Sequence, residues 1–238
     1  MRRLLAFILV ASASVLASGC SGVDAEKAQG ILDQSTAAMA DVNSVSFAMR
    51  MWTSGAPGGD DFTMLIKGGG YQKGKRAGDA YASLSSSDAG IGSMTVVVHG
   101  GLMYVKAGGR WASVPVPANQ AAATPLAGFD LTGYVKDVRV EEGLTVNGEP
   151  MDKITGVIDT AAAVEGLLAL GGTGAPGLGE AKHFLGDIRA VLYVSKTTHL
   201  PMRTLVDMPI DVLGQKIVFH VDLVLTGVNE RVAIPSVG

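Results

Sequence analysis

Ser44-Val45-Ser46-Phe47-Ala48-Met49-Arg50-Met51 is the stretch on which the fold turns. Val45, Phe47, Met49 and Met51 alternate with Ser46, Ala48 and Arg50, the period of two that gives a strand one apolar face and one wet face. Just upstream the period is different. Across residues 25–41, Ala28, Ile31, Leu32, Ser35, Ala38 and Met39 recur at three- and four-residue spacing, which predicts an amphipathic helix. Downstream, Gly55-Ala56-Pro57-Gly58-Gly59 marks a turn, Phe62, Met64 and Ile66 alternate again, and Lys67-Gly68-Gly69-Gly70 is expected to stop the run. The two alternating segments read as an antiparallel hairpin.

Further strands are expected at Asp79–Leu84, Ser93–His99, Leu102–Lys106 after Gly100-Gly101, and Arg110–Val114 after Gly108-Gly109. Prolines 115, 117 and 125 break this meander and lead into an expected helix near Leu126–Asp137. The second half repeats the theme. Strands are expected at Val138–Val146 and Met151–Asp159 around Asn147-Gly148, then a helix at Ala161–Leu170, then strands at Ala190–Ser195, Met202–Met208 and Lys216–Thr226. Strands far outnumber helices and are joined locally. The fold class expected is therefore α+β: a strongly curved antiparallel sheet, a half-barrel or open barrel, with helices packed on its concave face.

Cys20 is the only cysteine in the 238-residue chain. Arg2 and Arg3, the apolar run Leu4–Leu16 and the small residues before Cys20 have the layout of an export signal. The run is too short for a hydrocarbon core, which needs about 20 residues, and a lone cysteine has no disulfide partner within the chain. The expected division is a signal peptide at 1–19, a lipidated tether at 20–24 and one domain at 25–238. Cys20 would carry a diacylglyceryl and an N-acyl anchor, since one acyl chain alone holds a protein only marginally on a membrane. Charged residues are 17% of the chain, against about 25% in an ordinary soluble protein, and the net charge is −3. A chain so poor in positive charge lacks the basic patch that nucleic acid requires.

The order of features resembles the actinobacterial LppX/LprA/LprF/LprG lipoprotein family, which is LolA-like. The residues that carry the resemblance are Cys20, Val42-Asn43-Ser44-Val45-Ser46-Phe47, the hairpin Val98–Lys106 ending near Trp111, Val146-Asn147-Gly148 with Ile154-Thr155-Gly156, Tyr193–Pro201, and Thr226-Gly227-Val228-Asn229-Glu230. Together they span nearly all of the chain after Cys20. The resemblance implies a half-barrel that encloses an apolar cavity, with no catalytic motif, and a protein that carries acylated glycolipid through the cell envelope. The chain departs from the family in Gly171–Gly179, read as a longer loop near the cavity mouth.

Other chemistry is weaker on inspection. Gly172-Thr173-Gly174-Ala175-Pro176-Gly177 matches the dinucleotide pattern in letters, but it follows an expected helix instead of a strand and holds a proline. His99, His183, His199 and His220 show no metal-ligand spacing. No serine sits in a Gly-x-Ser-x-Gly elbow. Glu141 and Glu142 are adjacent on a strand and face opposite ways.

Methionine is the informative residue class. Met49, Met51, Met64, Met94 and Met103 fall on expected strands, where flexible thioethers suit a variable apolar wall, and aromatic residues, which would fill a cavity, are only 5% of the chain. Candidate wall residues are Val45, Phe47, Met49, Met51, Phe62, Met64, Ile66, Val96, Val98 and Tyr104. Lys67, Lys73, Lys75 and Arg76 are candidates to meet an anionic headgroup. The expectation is a non-catalytic lipoprotein on the extracytoplasmic face of the cell membrane that carries an acylated lipid or glycolipid between envelope layers, with an envelope transporter as a candidate partner. It needs no metal and no cofactor beyond its covalent anchor and bound lipid. The alternative is an envelope sensor or protein-interaction module on the same fold.

Overall fold

The computed structural model describes residues 24–55, 62–87, 92–116, 134–159, 187–212 and 214–237. A helix, α1, covers 24–40. Six strands follow: β1 (Ser44–Ser54), β2 (Thr63–Tyr71), β3 (Ala80–Ser86), β4 (Ser93–His99), β5 (Leu102–Ala107) and β6 (Arg110–Pro115). Five more complete the sheet: β7 (Val135–Val146), β8 (Glu149–Ile158), β9 (Ile188–Ser195), β10 (Pro201–Val212) and β11 (Gln215–Val228).

Among the described residues all eleven strands join one antiparallel sheet in the order β6-β5-β4-β3-β2-β1-β11-β10-β9-β8-β7. The chain meanders outward from β1 to one edge, resumes at the other edge with β7, and meanders back until β11 pairs with β1. The sheet is open, with β6 and β7 at its two edges. Tight turns make the hairpins possible. Asn147 (φ 53°) and Gly148 (φ 84°) hold the two left-handed positions of the β7–β8 turn, the conformation whose twist matches that of the flanking strands.

Register decides which side chains share a face. Phe47 lies opposite Gly68 on β2 and Leu225 on β11, and Met49 lies opposite Ile66 and Leu223. Following the ladders in both directions gives one apolar face across the whole sheet. Helix α1 lies on it. Ala28 and Leu32 are fully buried with Ile154, Leu192, Val194 and Val206, whereas Met39, at the other end of the helix, packs with Val45, Phe47 and Leu223. The helix thus crosses from the β7–β10 half toward β1, and an ion pair from Lys27 to Glu142 holds its first turn to β7. Burying a Leu side chain contributes roughly 1.5–3 kcal/mol, and packing of this kind, more than helix propensity, stabilises a short helix.

Several expectations are corrected. Lys67-Gly68-Gly69-Gly70 does not stop a strand; β2 runs through it to Tyr71. The glycines are required by close approach: a Cβ on Gly68 would stand 2.7 Å from the Phe47 ring and 2.6 Å from the Tyr81 carbonyl oxygen, and one on Gly69 would stand 2.7 Å from the Val45 carbonyl oxygen. The helix expected near Leu126–Asp137 is also revised. Val135 to Asp137 belong to β7, while 126–133 lie outside the described residues. A register shift between Lys136 and Arg139, with Asp137 at φ 53°, inserts an extra residue, so that Val135 and Val138 both point into the core three positions apart. The bulge lets the strand begin at Val135, three residues before its expected start at Val138. The expected helix at Ala161–Leu170 and the segment Gly171–Gly179 lie outside the described residues.

The outer face has its own cover. Asn229, at φ 57°, turns the chain after β11, donating its backbone N–H to the Ser44 carbonyl at 2.8 Å. The segment that follows crosses β2: Tyr71 Oη donates to the Val232 carbonyl at 3.1 Å and accepts from the Val232 N–H at 3.0 Å. Farther on, Ile234, Pro235 and Val237 border a small pocket together with Val97, a buried outer-face residue.

Candidate functional site

Nine of the ten expected wall residues share the helix-bearing face. Val45, Phe47, Met49 and Ile66 are buried there, Met51 pairs with Met64, and Val96 and Val98 continue the rows through Ala82 and Ala80. Phe62 precedes β2; its carbonyl accepts from the Thr53 N–H at 3.1 Å and its N–H donates to Thr53 Oγ1 at 3.2 Å, which sets it opposite Thr53 on the same side. Tyr104 is the exception. It pairs with Val97 and faces outward, because Val98 pairs with Met103 and the alternation runs from there. Cys20 and segment 1–19 lie outside the described residues.

Burial along this face is graded. Ile154 and Leu192, under α1, are sealed at 0% and 1% exposure, and Val45 at 1%. Toward β6 the seal weakens. Met64, Leu84, Met94, Val96 and Met103 are half-buried, and Val114 on the edge strand is 46% exposed. The apolar rows therefore extend well past the tightly packed core.

The expected cations divide. Lys67 faces outward beside Ala48, and Lys73 is spent on Asp41 at 3.3 Å. Lys75 and Arg76 border a cavity of about 520 Å³ at the sheet's rim, lined also by Asp79, Val98, His99 and Val116. Arg76 is already engaged. Its Nε donates to Asp79 at 3.1 Å, an Nη donates to Tyr71 Oη at 3.2 Å, and the guanidinium lies 4.4 Å from the Tyr71 ring centre. His99 Nδ1 is 3.0 Å from the same Asp79.

Glu141 and Glu142 separate as expected, Glu141 pairing with Lys153 at 2.9 Å while Glu142 reaches Lys27 on the helix side. The Glu141 hydrogen bond and charge raise the Lys153 pKa above its ordinary value. Likewise the bidentate bond from Arg203 to Asp222, at 2.9 and 2.8 Å, keeps that guanidinium's pKa above the usual one. In the Tyr193–Pro201 motif, buried Ser195 donates to Glu149 and accepts from the Thr197 and Thr198 N–H groups at 3.2 and 3.1 Å, which builds the turn into β10. These are structural roles. Among the described residues no cluster of His, Cys, Asp and Glu could hold a metal ion, and no helix is long and apolar enough to cross a membrane.

Sequence reasoning missed one constellation on the outer face. Ser54 Oγ lies 2.8 Å from His220 Nε2, and His220 Nδ1 lies 2.7 Å from Asp207 Oδ1. The three residues sit on β1, β11 and β10, far apart in the chain, so no local motif could have revealed them.

With this geometry in place, the architecture can be matched. The crystal structure of LprF from Mycobacterium bovis superposes with a TM-score of 0.56 at 18% identity, covering 89% of this chain and 97% of that one. The chain has the LprF fold. The lipoprotein LppX from Mycobacterium tuberculosis follows with a TM-score of 0.49 at 16% identity, covering 88% of this chain and 99% of its own. No protein-family model and no curated protein matches the sequence. The LprF-like architecture spans nearly the full length of both chains, as the order of sequence features implied.

Proposed function

We propose that this chain is a cell-envelope lipoprotein that binds the acyl chains of an acylated lipid or glycolipid on the helix-bearing face of its sheet and carries them between envelope layers. The observation that supports this most is the graded burial: Met64, Met94, Val96 and Met103 continue the apolar rows of the core and stay half-buried. In this reading the sheet is a half-barrel whose concave side, with its helices, forms the lipid cavity. About 800 Å² of acyl surface leaving water would contribute on the order of 20 kcal/mol, more than typical association costs. Binding at this face breaks no bond. A diacylglyceryl and an N-acyl chain on Cys20 hold the protein at the extracytoplasmic face of the membrane, and an envelope transporter receives or supplies the cargo.

Native mass spectrometry with solvent extraction, on protein made in an actinobacterial host, tests the carrier. A stoichiometric acylated lipid is expected, and Met64→Trp, which puts a bulkier ring on the half-buried part of that face, is expected to lose it with the melting temperature kept. Protein that is lipid-free in the wild type ends the proposal. Separately, Cys20→Ala is expected to move the protein from the detergent phase to the aqueous phase in detergent partitioning.

A further inference from the structure

We infer that the outer face of the sheet, opposite the proposed lipid surface, carries a second site: a Ser54–His220–Asp207 triad that hydrolyses small carboxylic esters. The atoms are in the order acyl transfer needs. Asp207 accepts from Nδ1–H of His220 at 2.7 Å, and that fixes the tautomer in which Nε2 has a free lone pair. Ser54 Oγ, 2.8 Å from Nε2, donates its proton to that lone pair.

Rigid elements hold the three side chains. Trp52, His220 and Asp207 are directly opposite one another on β1, β11 and β10, and Ser54 is diagonal to His220 across the β1–β11 ladder. The imidazole cannot swing freely. It stacks on Trp52 with ring centres 4.9 Å apart and 16° between planes, and the Arg50 guanidinium lies 5.0 Å from the Trp52 ring centre. Space for a substrate adjoins the triad. A cavity of about 410 Å³ opens beside His220, bounded by Asp187, Arg189, Asp207, Pro209 and Val218; Ser54 does not line it but is the cross-strand partner of Val218. Val218 and Pro209 supply an apolar wall for a short acyl group. Arg189 lines the cavity alongside the acidic Asp187, and Lys216, two residues along β11 from Val218 on the side away from His220, lies on the same face; a cation brought close to the ester oxygen would stabilise the negative charge that develops there.

Every atom in the step can be followed. Ser54 Oγ forms a bond to the ester carbonyl carbon as its proton passes to His220 Nε2. The carbonyl–alkoxy bond then breaks, the leaving alcohol takes the proton from Nε2, and the acyl group remains on Ser54. Water, losing a proton to Nε2, adds to the acyl carbon. The bond to Oγ breaks, Ser54 regains its proton, and a carboxylic acid leaves. Asp207 touches no reacting atom and acts as a positioning residue through His220.

The test uses the whole chain after its leader, with a fluorophosphonate probe and p-nitrophenyl butyrate as substrate. Ser54 is expected to be the labelled residue by peptide mass mapping. Ser54→Ala and His220→Ala should each lower hydrolysis about 10²-fold or more, the scale of acid–base catalysis by one positioned group. Asp207→Asn should lower kcat and the labelling rate while leaving KM near the wild-type value, a split that a purely structural role would not produce. Equal melting temperatures for wild type and Ser54→Ala show that the variant folds. If the probe labels wild type and Ser54→Ala alike, or if both hydrolyse the ester at the same rate, the proposal is overturned. The lipid-retention measurement is independent of either result, because it reads the opposite face.

Discussion

The two wings of the sheet's apolar face follow the same two-residue alternation and end in different states. On the β7–β10 wing, Ile154, Leu192, Val194 and Val206 are sealed beneath Ala28 and Leu32 of the helix. On the β2–β6 wing, Met64, Met94, Val96 and Met103 are only half-buried. Side-chain type does not separate the wings: Met39 and Met49 are buried in the core, and branched Leu84, Val96 and Val114 stay partly open. What differs is the helix, which covers one wing and leaves the other without it.

Substitutions can break that contrast. The largest effect is expected from Ile154→Ala, which should remove about 2–5 kcal/mol of stability by leaving a cavity in a sealed region. Met94→Ala on the other wing should cost far less, below about 1 kcal/mol, because its site is already half open. Urea denaturation of both variants decides it, and similar losses would show the wings to be energetically alike. A middle-sized effect is expected from Gly68→Ala. The new Cβ meets the Phe47 ring and the Tyr81 carbonyl, and overpacking of this kind costs about 1–3 kcal/mol; Gly68→Ala combined with Phe47→Leu should recover part of the loss, in a double-mutant cycle.

The smallest effect concerns the solvent side. Glu141 holds the Lys153 pKa above 10.5, so this pair's contribution is fully present at neutral pH and is lost as pH rises through the raised value. Glu141→Gln should return the ammonium toward its ordinary titration, measured by NMR of the side-chain nitrogen. Its effect on the melting temperature at neutral pH should be barely measurable, as for exposed ion pairs generally.

Much of the architecture was legible because alternation is local. The face of β1, the bounds Ser93–His99 of β4 and the helix ending near residue 40 follow from nearest-neighbour patterns. What escaped depended on contacts across strands. Gly68 and Gly69 look like a turn until Phe47 and Val45 are placed against them. The strand expected to start at Val138 starts at Val135, because a bulge at Asp137 carries it across a break in the two-residue alternation. Tyr104 follows Met103, and a single-residue choice of register sends one inward and the other out. Strand β10 outlasts its expected end at Met208 because Pro209 lies beyond the reach of β9, where a missing N–H harms no ladder. The Ser54–His220–Asp207 cluster is the extreme case, since its members share no local signal at all.

The seam between β1 and β11 joins the first described strand to the last, and every other pairing links strands consecutive in the chain. Two hairpin arrays can therefore form early, yet neither can dock on the other until β11 has been made, so the joining of the two halves comes as one late, long-range event.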